Sequence, residues 1–216
     1  MAAVESVVLE VEDPAASAAF IAAAFGVTSV GVRATTSPAT GFRGCTLSLV
    51  VAQPGTVDSL IGTALGNGAT TLKPAAKSFW GYGGVVRAPD GTIWKVATSA
   101  KKNTGPVTRR IDDVAVLLGV ADVKASKRFY VERGLTVAKS FGGKYVQFDT
   151  SPSGVTLALY GRRALAKDAG VPVEGSGSHR LVLTGDAGTF TDPDGFAWEP
   201  APAAAGRTAT DTERHQ

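Results

Sequence analysis

Histidine and cysteine are scarce in this chain. Its 216 residues include two His and one Cys. The single cysteine, Cys45, excludes an internal disulfide, and without a CxxC pair neither a structural zinc site of that type nor a thioredoxin-like redox centre is present. Two His residues also exclude a His-rich metal site. These absences favour a reducing compartment, and we expect a cytoplasmic protein.

Long apolar runs and a basic leading segment are lacking too. The opening residues, MAAVESVVLEVEDP, carry several acids, so we expect neither a signal peptide nor a membrane-spanning helix. The net charge is only +3, with 22 Lys+Arg against 19 Asp+Glu spread along the chain, which argues against nucleic-acid binding. A hydrophobic fraction of 44% is ordinary for a folded protein and predicts a substantial core.

The chain contains an internal repeat at its strand-to-helix openings. The pattern V-x-D-x-x-A-S-x-x-F occurs from Val11 and again from Val120. Each copy follows an apolar strand, predicted at 5–11 and 113–120, and Asp13 and Asp122 are typical N-cap residues for the helices that follow. The two openings therefore predict two related halves of the chain.

The closings of the two halves are also similar. Residues 88–95 and 192–199 both contain Pro-Asp-Gly followed by an apolar strand with a tryptophan. Such a turn joins two strands because glycine adopts positive φ without steric cost. The predicted organisation is a first half over 1–100, a linker over 101–110, a second half over 111–202 and a disordered tail over 203–216.

Between these ends the pattern alternates helices and strands. The first half predicts strands at 28–33 and 45–52, an amphipathic helix at 54–66 and a strand from Thr70. The second half predicts strands at 136–140, 144–148, 155–160 and 179–183 and a helix at 163–169, with no helix before its closing hairpin. This organisation predicts an α+β fold in which helices cover one face of mixed sheets.

Several of these segments resemble the vicinal oxygen chelate superfamily, which comprises glyoxalase I, the bleomycin-resistance proteins and the extradiol dioxygenases. The resemblance is carried by Leu72-Lys73-Pro74-Ala75, by 79–84 and 88–96, by the opening at 120–130 and by the closing at 192–199. It implies tandem βαβββ-type modules that form curled mixed sheets, with helices on the outer face and a cup on the other. The first half looks short of strands after its opening helix, and the second lacks the late helix.

The resemblance also implies positions for metal ligands, because family chemistry uses a metal held by His or Glu on the first and last strands of a module. In this chain those positions fall on Ser6, Ala115, Thr46, Arg180, Lys95 and Glu199. Only Glu199 is a usable ligand, and a basic side chain at such a position repels a cation. We therefore expect no metal cofactor. The alternative is one divalent metal ion held by His179 and Glu199.

Three functions remain open from the sequence. The first is a metal-free, glyoxalase or bleomycin-resistance-like protein that binds a small organic ligand, such as an aromatic one, in a cup lined by Trp80 and Tyr82, with Thr46, Lys95, Arg180 and Glu199 as further ligand-binding candidates. The second is a metal-dependent lyase, isomerase or dioxygenase that uses His179 and Glu199. The third is a scaffold or partner-binding module with filled cups, which a cavity below about 300 Å³ would favour.

Plainer interpretations apply to some of these residues. Glu199 is equally well read as a solvated residue or as the partner of a base such as Arg180, and His179 as a hydrogen-bonded surface residue. Cys45 is expected to be a buried apolar residue, and Trp94 and Trp198 equivalent core residues. Phosphate-binding loops and a nucleophile elbow are lacking. The expected oligomeric state is either a monomer whose two halves pair internally or a homodimer. A small molecule is the only partner that we expect.

Overall fold

The computed structural model describes residues 2–152 and 154–201, and the predicted tail at 203–216 lies outside them. The described residues form four helices: α1 (Pro14–Ala24), α2 (Pro54–Gly66), α3 (Val123–Glu132) and α4 (Arg162–Ala169). They also form fifteen strands: β1 (Val4–Val11), β2 (Val30–Ala34), β3 (Ala39–Gly41), β4 (Cys45–Val50), β5 (Thr70–Ser78), β6 (Gly81–Arg87), β7 (Ile93–Thr98), β8 (Asp113–Val120), β9 (Val137–Phe141), β10 (Tyr145–Phe148), β11 (Thr156–Gly161), β12 (Gly175–Gly177), β13 (Leu181–Gly185), β14 (Phe190–Thr191) and β15 (Ala197–Pro200).

Eight strands form a large mixed sheet in the order β5-β6-β7-β4-β8-β11-β10-β9. Two units with the order βαβββ meet in its middle, one from β4 to β7 with α2 and one from β8 to β11 with α3. The central pair β4 and β8 is antiparallel, with Leu47 opposite Val116. In each unit the last strand returns parallel to the first, as Leu47 beside Trp94 shows for β4 and β7.

A smaller sheet has the order β14-β15-β13-β1-β2. It joins the two ends of the chain, because β1 pairs antiparallel with β13, with Val7 opposite Leu183. Its two units are reduced: β1, α1 and β2 form one, and β13, β14 and β15 form the other. No helix lies between β13 and β14, as the sequence predicts. The short strands β3 and β12 pair separately.

The α+β prediction is confirmed, but one interpretation of the repeat does not match the topology. The sequence indicates one partly reduced module in each half, whereas each half contains a complete βαβββ unit and a reduced unit. Both sheets combine strands from the two halves, since β4 pairs with β8 and β1 with β13. The repeat is visible only at the ends of each half, and those ends belong to different units.

Local sequence accounts for where the helices begin. The Asp13 carboxylate accepts a hydrogen bond from the Ala16 amide, and Pro14 occupies the first turn of α1. Asp122 caps α3 in the same way, by accepting from the amides of Lys124 and Ala125. The helix predicted at 54–66 is observed with those bounds. Short polar side chains and proline stabilise these helix starts because they satisfy or remove free N–H groups.

The main hydrophobic core lies between the two sheets. Alternate residues of β1, including Val7 and Leu9, share one buried cluster with Leu47 of β4 and with residues of α1 and α2. The Phe25 ring packs on Trp94 at a centroid distance of 4.6 Å. Because α1, α2 and α3 pack on this inner side, the opposite face of each sheet is turned outward. We call these outward faces the large cup and the small cup.

Helix α4 is the exception to this arrangement, because it lies in the large cup. Its apolar residues Leu165, Ala166 and Ala169 are buried in a second cluster with Val85 and Ile93. Those strand residues alternate with the core-facing Val86 and Trp94, so they point into the cup. Helix α4 therefore covers part of the floor of the large cup.

Candidate functional site

The floor of the large cup consists of rows of directly paired residues that share one face of the sheet. One row runs through Val85, Lys95, Ser48, Ala115 and Thr156. Thr46 lies in the next row, opposite Leu117. The sequence candidates Lys95 and Thr46 are thus both on the cup face. A two-residue period places them there.

Lys95 is held by helix α4. Its ammonium group donates to the Asp168 carboxylate at 2.7 Å, and both side chains are about one-third exposed. Lys73 of β5 also donates to α4, at the carbonyl oxygen of Lys167, at 2.6 Å. These contacts tie the exposed side of α4 to the strands that it covers. Asp168 has no motif signal in the sequence and was not among the predicted residues.

Beside α4 an open cavity of about 320 Å³ remains in the large cup. Lys95 and Asp168 line it together with Gly83, Ala97 and Trp80. A Cβ on Gly83 would lie 2.8 Å from the Val96 carbonyl oxygen, so glycine allows β6 and β7 to pair closely and leaves this part of the floor bare. The cavity thus combines a flat floor around Gly83 and Ala97 with the ion pair of Lys95 and Asp168, and Lys73 and Lys77 also line it.

Trp80 and Tyr82 differ in their surroundings. Trp80, at the tip of the β5–β6 hairpin, is 82% exposed, and its neighbour Phe79 is 79% exposed. Tyr82 borders the cavity, but its hydroxyl group donates to Asp58 of α2 at 2.8 Å, so the ring is turned toward the helix side. That hydrogen bond is the largest cause of a raised pKa for Tyr82. Alternation along β6 explains the orientation of Tyr82, since the cup face belongs to Gly81 and Gly83, whereas Trp80 lies in the turn before β6.

Further polar groups lie on the cup floor. Thr156 donates to the Asp113 carboxylate at 3.0 Å, and its hydroxyl group is also hydrogen-bonded to the Thr150 hydroxyl group at 2.6 Å. Burial raises the pKa of Tyr145 on β10, with smaller contributions from Tyr160 and Asp113. The sequence analysis missed these residues. Counting the two-residue period from Ala115 along β8 would have placed Asp113 on this face.

The small cup contains Glu199, but on a sheet separate from Lys95 and Thr46. Glu199 lies beside Thr184, which lies beside Ser6. Both Glu199 carboxylate oxygens accept from Arg33 of β2 at 2.9 Å, and Arg33 also donates to Glu10 at 2.8 Å. The hydrogen bond with Glu10 is the largest contribution to the raised pKa of Arg33. The partner of Glu199 is thus Arg33, not the Arg180 suggested by sequence.

Arg180 and His179 lie at the seam between the sheets. The Arg180 guanidinium donates to Glu12 at 2.9 Å and to the Ser37 carbonyl oxygen. The two ring nitrogens of His179 hydrogen-bond the backbone carbonyls of Arg43 and Asp194, and the ring stacks on Phe196. Glu199 pairs beside Thr184, five residues further along the chain. The structure therefore does not bring His179 and Glu199 together, because both ring nitrogens of His179 are occupied by backbone carbonyls at the seam between the sheets.

Neither cup offers a donor set for a divalent metal. Among residues 2–152 and 154–201, no three His, Cys, Asp or Glu side chains gather in one place. In the large cup the ligand positions carry Thr46, Lys95 and Ala115, and in the small cup a guanidinium already binds Glu199. Positive side chains at these places oppose a second cation. The residues present do not fit the metal that the fold family uses.

Two other predictions concern burial. Cys45, which was expected to be buried, is only partly buried at the edge of the main core. Burial raises the pKa of the Cys45 thiol to about 12, which is the behaviour of an unreactive cysteine. Trp94 and Trp198 are both fully buried, as expected from their equivalent turns.

No helix in the described part of the chain has the length and apolarity required to cross a membrane.

The sheet order, the paired βαβββ units and the two cups define the fold of the vicinal oxygen chelate superfamily. Comparison with solved structures agrees with this assignment. Glyoxalase I from Zea mays is similar over 92% of this chain and 91% of its own, with 15% identity and a TM-score of 0.59. A dioxygenase candidate from Bacillus subtilis is similar over 89% of this chain and 71% of its own, with 12% identity and a TM-score of 0.53.

Comparison of the sequence itself identifies no relative, because no family model and no curated protein matches the chain. At identities of 12 to 15% the solved structures establish the fold alone.

Proposed function

We propose that this protein is a glyoxalase or bleomycin-resistance-like binding protein that works without a metal and holds a small organic ligand in the large cup. One observation carries the proposal: a cavity of about 320 Å³ remains open beside α4. This volume reaches the range of about 300 to 1,000 Å³ that is typical of ligand sites. Thr46, Arg180 and Glu199, which lie outside this cavity, are not part of the proposed site.

The lining of the cavity favours a flat ligand with one polar end. Gly83 and Ala97 leave the floor low and apolar, and the exposed indole of Trp80 stands at the rim. A planar ring can stack on that indole and cover the bare floor. Lys95, Lys73 and Lys77 supply cations and Asp168 one anion around the cavity, which suits a carboxylate, phenol or amide on the ligand. An aromatic compound with such a group is the preferred candidate.

The test uses titration with aromatic acids, phenols and bleomycin, followed by tryptophan fluorescence and calorimetry. Trp80 is the exposed reporter, since Trp94 and Trp198 are buried. We expect binding by at least one compound, about tenfold weaker in Trp80→Ala or Lys95→Met. Phe79→Ala is the matched control because Phe79 is as exposed as Trp80 but does not line the cavity. Flat titrations throughout, or equal loss in Phe79→Ala, would contradict the proposal.

Metal independence is a separate part of the proposal. It is supported by Lys95 in the large cup and by the Arg33 guanidinium on Glu199 in the small cup. Metal analysis of protein purified without chelator tests it. We expect Zn, Ni, Mn and Fe all far below one equivalent. One equivalent of any of them that is lost in Glu199→Gln would restore the alternative of a metal-dependent lyase, isomerase or dioxygenase.

A second candidate function is a scaffold or partner-binding module with filled cups. It is favoured by α4, whose Leu165 and Ala166 cover part of the large cup, and by Arg33, which spans the small cup from β2 to β15. If every titration is flat, this function becomes the better one. Size-exclusion chromatography then distinguishes a homodimer from a monomer. We favour the monomer because the pairs β4–β8 and β1–β13, which join the two halves, both form within one chain. Cell fractionation tests the expected cytoplasmic location.

A further inference from the structure

A further cavity lies outside both cups. It is a cleft of about 800 Å³ between α1 and the turn that joins β6 to β7. Phe20 and Ala23 of α1 and Pro89 of the turn form its apolar side. Two guanidinium groups, those of Arg43 and Arg180, line the same cleft. We call this cavity the seam cleft.

Arg180 is built into the seam cleft. Its side chain is only 8% exposed, and its guanidinium is fixed by Glu12 and by the Ser37 carbonyl oxygen. Its backbone has φ of 51°, the only positive φ at a residue other than glycine among those described. Left-handed backbone is energetically costly outside glycine and is concentrated at functional sites. The fold therefore holds this side chain in place at an energetic cost.

Arg43 has far fewer partners. Its guanidinium donates to the Asp90 carbonyl oxygen at 2.6 Å, and no carboxylate of the described residues lies within ion-pair distance of it. The turn makes room for this group, because a Cβ on Gly91 would lie 2.6 Å from Arg43 Nη2. Burial and the nearby charge of Arg180 lower the pKa of Arg43. A half-buried cation beside a second cation requires an anion for full stabilisation.

The backbone that carries Arg43 is fixed from two sides. His179 hydrogen-bonds the carbonyl of Arg43, and Arg162 donates to the carbonyl of Phe42 at 2.8 Å. These contacts give His179 a role in orienting Arg43, and the ligand site proposed in the large cup does not use it. They orient Arg43 before any ligand arrives, and such preorganisation reduces the entropic cost of binding.

The acidic groups of the seam cleft are engaged elsewhere. Glu12 is paired with Arg180, Asp13 accepts from the Ala16 amide as the cap of α1, and Asp90 accepts from the Thr92 amide. None of the three carboxylates accepts a hydrogen bond from Arg43, whose guanidinium contacts Asp90 only at the backbone carbonyl oxygen. Of the two guanidinium groups in the seam cleft, that of Arg43 thus has no carboxylate partner, while Asp13 and Asp90 keep their charges and hydrogen-bond only amide groups.

We propose that the seam cleft is a second ligand site, in which Arg43, with Arg180 beside it, binds one oxyanionic group of an organic molecule. The planar guanidinium matches a carboxylate or a phosphate with two parallel hydrogen bonds. The organic part of the ligand lies against Phe20 and Pro89. This site is independent of the large cup and does not rest on the function proposed for it.

Titration calorimetry with inorganic phosphate and with benzoate tests the site and separates the two oxyanions. Tighter phosphate binding indicates a phosphorylated ligand, and tighter benzoate binding indicates an aryl carboxylate that uses the apolar side. We expect Arg43→Met to weaken either anion by about tenfold or more, as is typical for loss of a charge-assisted hydrogen bond. Arg43→Lys keeps the positive charge but lacks the planar guanidinium that donates two parallel hydrogen bonds. We therefore expect a loss of anion affinity that is smaller than in Arg43→Met.

Controls distinguish this site from general charge and from the large cup. Arg163→Met removes an exposed arginine of α4 outside the seam cleft, and Trp80→Ala alters only the large cup. Neither is expected to change anion binding. If Arg43→Met does not fold, the side-chain Nε–Hε resonance of Arg43 in the unchanged protein must shift on adding either anion. Flat titrations with both anions, or equal loss in Arg163→Met, would overturn the proposal.

Discussion

Lys95 on the floor of the large cup and Asp168 of α4 form an ion pair of 2.7 Å. The pair joins a strand of the sheet to the helix that covers it. Both side chains remain about one-third exposed, so water screens much of their attraction. The apolar side of α4 is better placed to hold the helix, because Leu165 is fully buried.

This difference predicts unequal effects of two substitutions in α4. Asp168→Asn should lower the free energy of unfolding by less than about 1 kcal/mol, as for other partly exposed ion pairs. Leu165→Ala should lower it by about 2–5 kcal/mol, because it leaves a cavity in a packed cluster. Urea unfolding of the two variants measures both values. Equal destabilisation would show that the ion pair, and not the apolar contact, holds α4 in the cup.

A second prediction concerns the cation position of the small cup. The Arg33 guanidinium binds both Glu10 and Glu199 and occupies the place of a cation between them. Added Mn²⁺ or Zn²⁺ should therefore not change the melting temperature of the unchanged protein. Arg33→Met removes the guanidinium and leaves two carboxylates near each other. We expect this variant to gain a metal-dependent rise in melting temperature. In Arg33→Met combined with Glu199→Gln the rise should disappear, and a rise that persists there would contradict the assignment of the site.

Trp94 and Trp198 should differ on replacement by phenylalanine. The Trp198 indole donates to the Tyr130 hydroxyl at 3.3 Å, whereas the buried Trp94 Nε1 has no hydrogen-bond partner among the described residues. Trp94→Phe removes an unsatisfied donor, but Trp198→Phe removes a satisfied one. We therefore expect Trp198→Phe to be more destabilising by about 1 kcal/mol in urea unfolding. The reverse order would mean that packing around Phe25 dominates.

Asp192 should give the folded protein a distinct pH dependence. Burial raises its pKa, although hydrogen bonds from Tyr130 and from the Phe196 amide act in the opposite direction. Between the unfolded-state pKa, about 3.9, and the higher folded-state pKa, the folded protein binds more protons. The contribution of Asp192 to stability is therefore complete below the unfolded-state value and is lost as pH rises through the folded-state value.

Asp192→Asn tests this dependence because it removes the titration while keeping an amide oxygen as acceptor. Unfolding by urea is measured for both proteins at a series of pH values from about 3 to 7. The stability of the asparagine variant relative to the unchanged protein should rise with pH across the window and then remain constant. Parallel curves for the two proteins would contradict a raised pKa for Asp192.

The fold was largely predictable from local signals. Asp13 and Asp122 cap the predicted helices, and the turns at Gly91 and Gly195 have positive φ, as their Pro-Asp-Gly sequences indicate. These features depend on neighbours within a few residues, so the sequence alone contains them. The pairing of β4 with β8 and of β1 with β13 joins segments far apart in the chain, and local patterns carry no information about it.

The candidate sites were less predictable. Alternation placed Thr46 and Lys95 correctly on one face, but it could not show that α4 packs over that face. Glu199 was read either as a solvated residue or as the partner of a base such as Arg180. Its partner is Arg33 of β2, a strand that is not adjacent to β15 in the small sheet. The left-handed backbone of Arg180, just before β13, removes its side chain from the regular alternation of that strand.

The sequence by itself determined the class of fold, the positions of the turns and the shortage of metal ligands, since each depends on residue type and short-range spacing. Only the tertiary structure decided which partners the charged side chains of the two cups have. A guanidinium binds Glu199, an ammonium group binds Asp168, and both contacts come from residues distant in the chain. The scarcity of histidine excludes one kind of site, and long-range packing determines where cavities and charges remain for another.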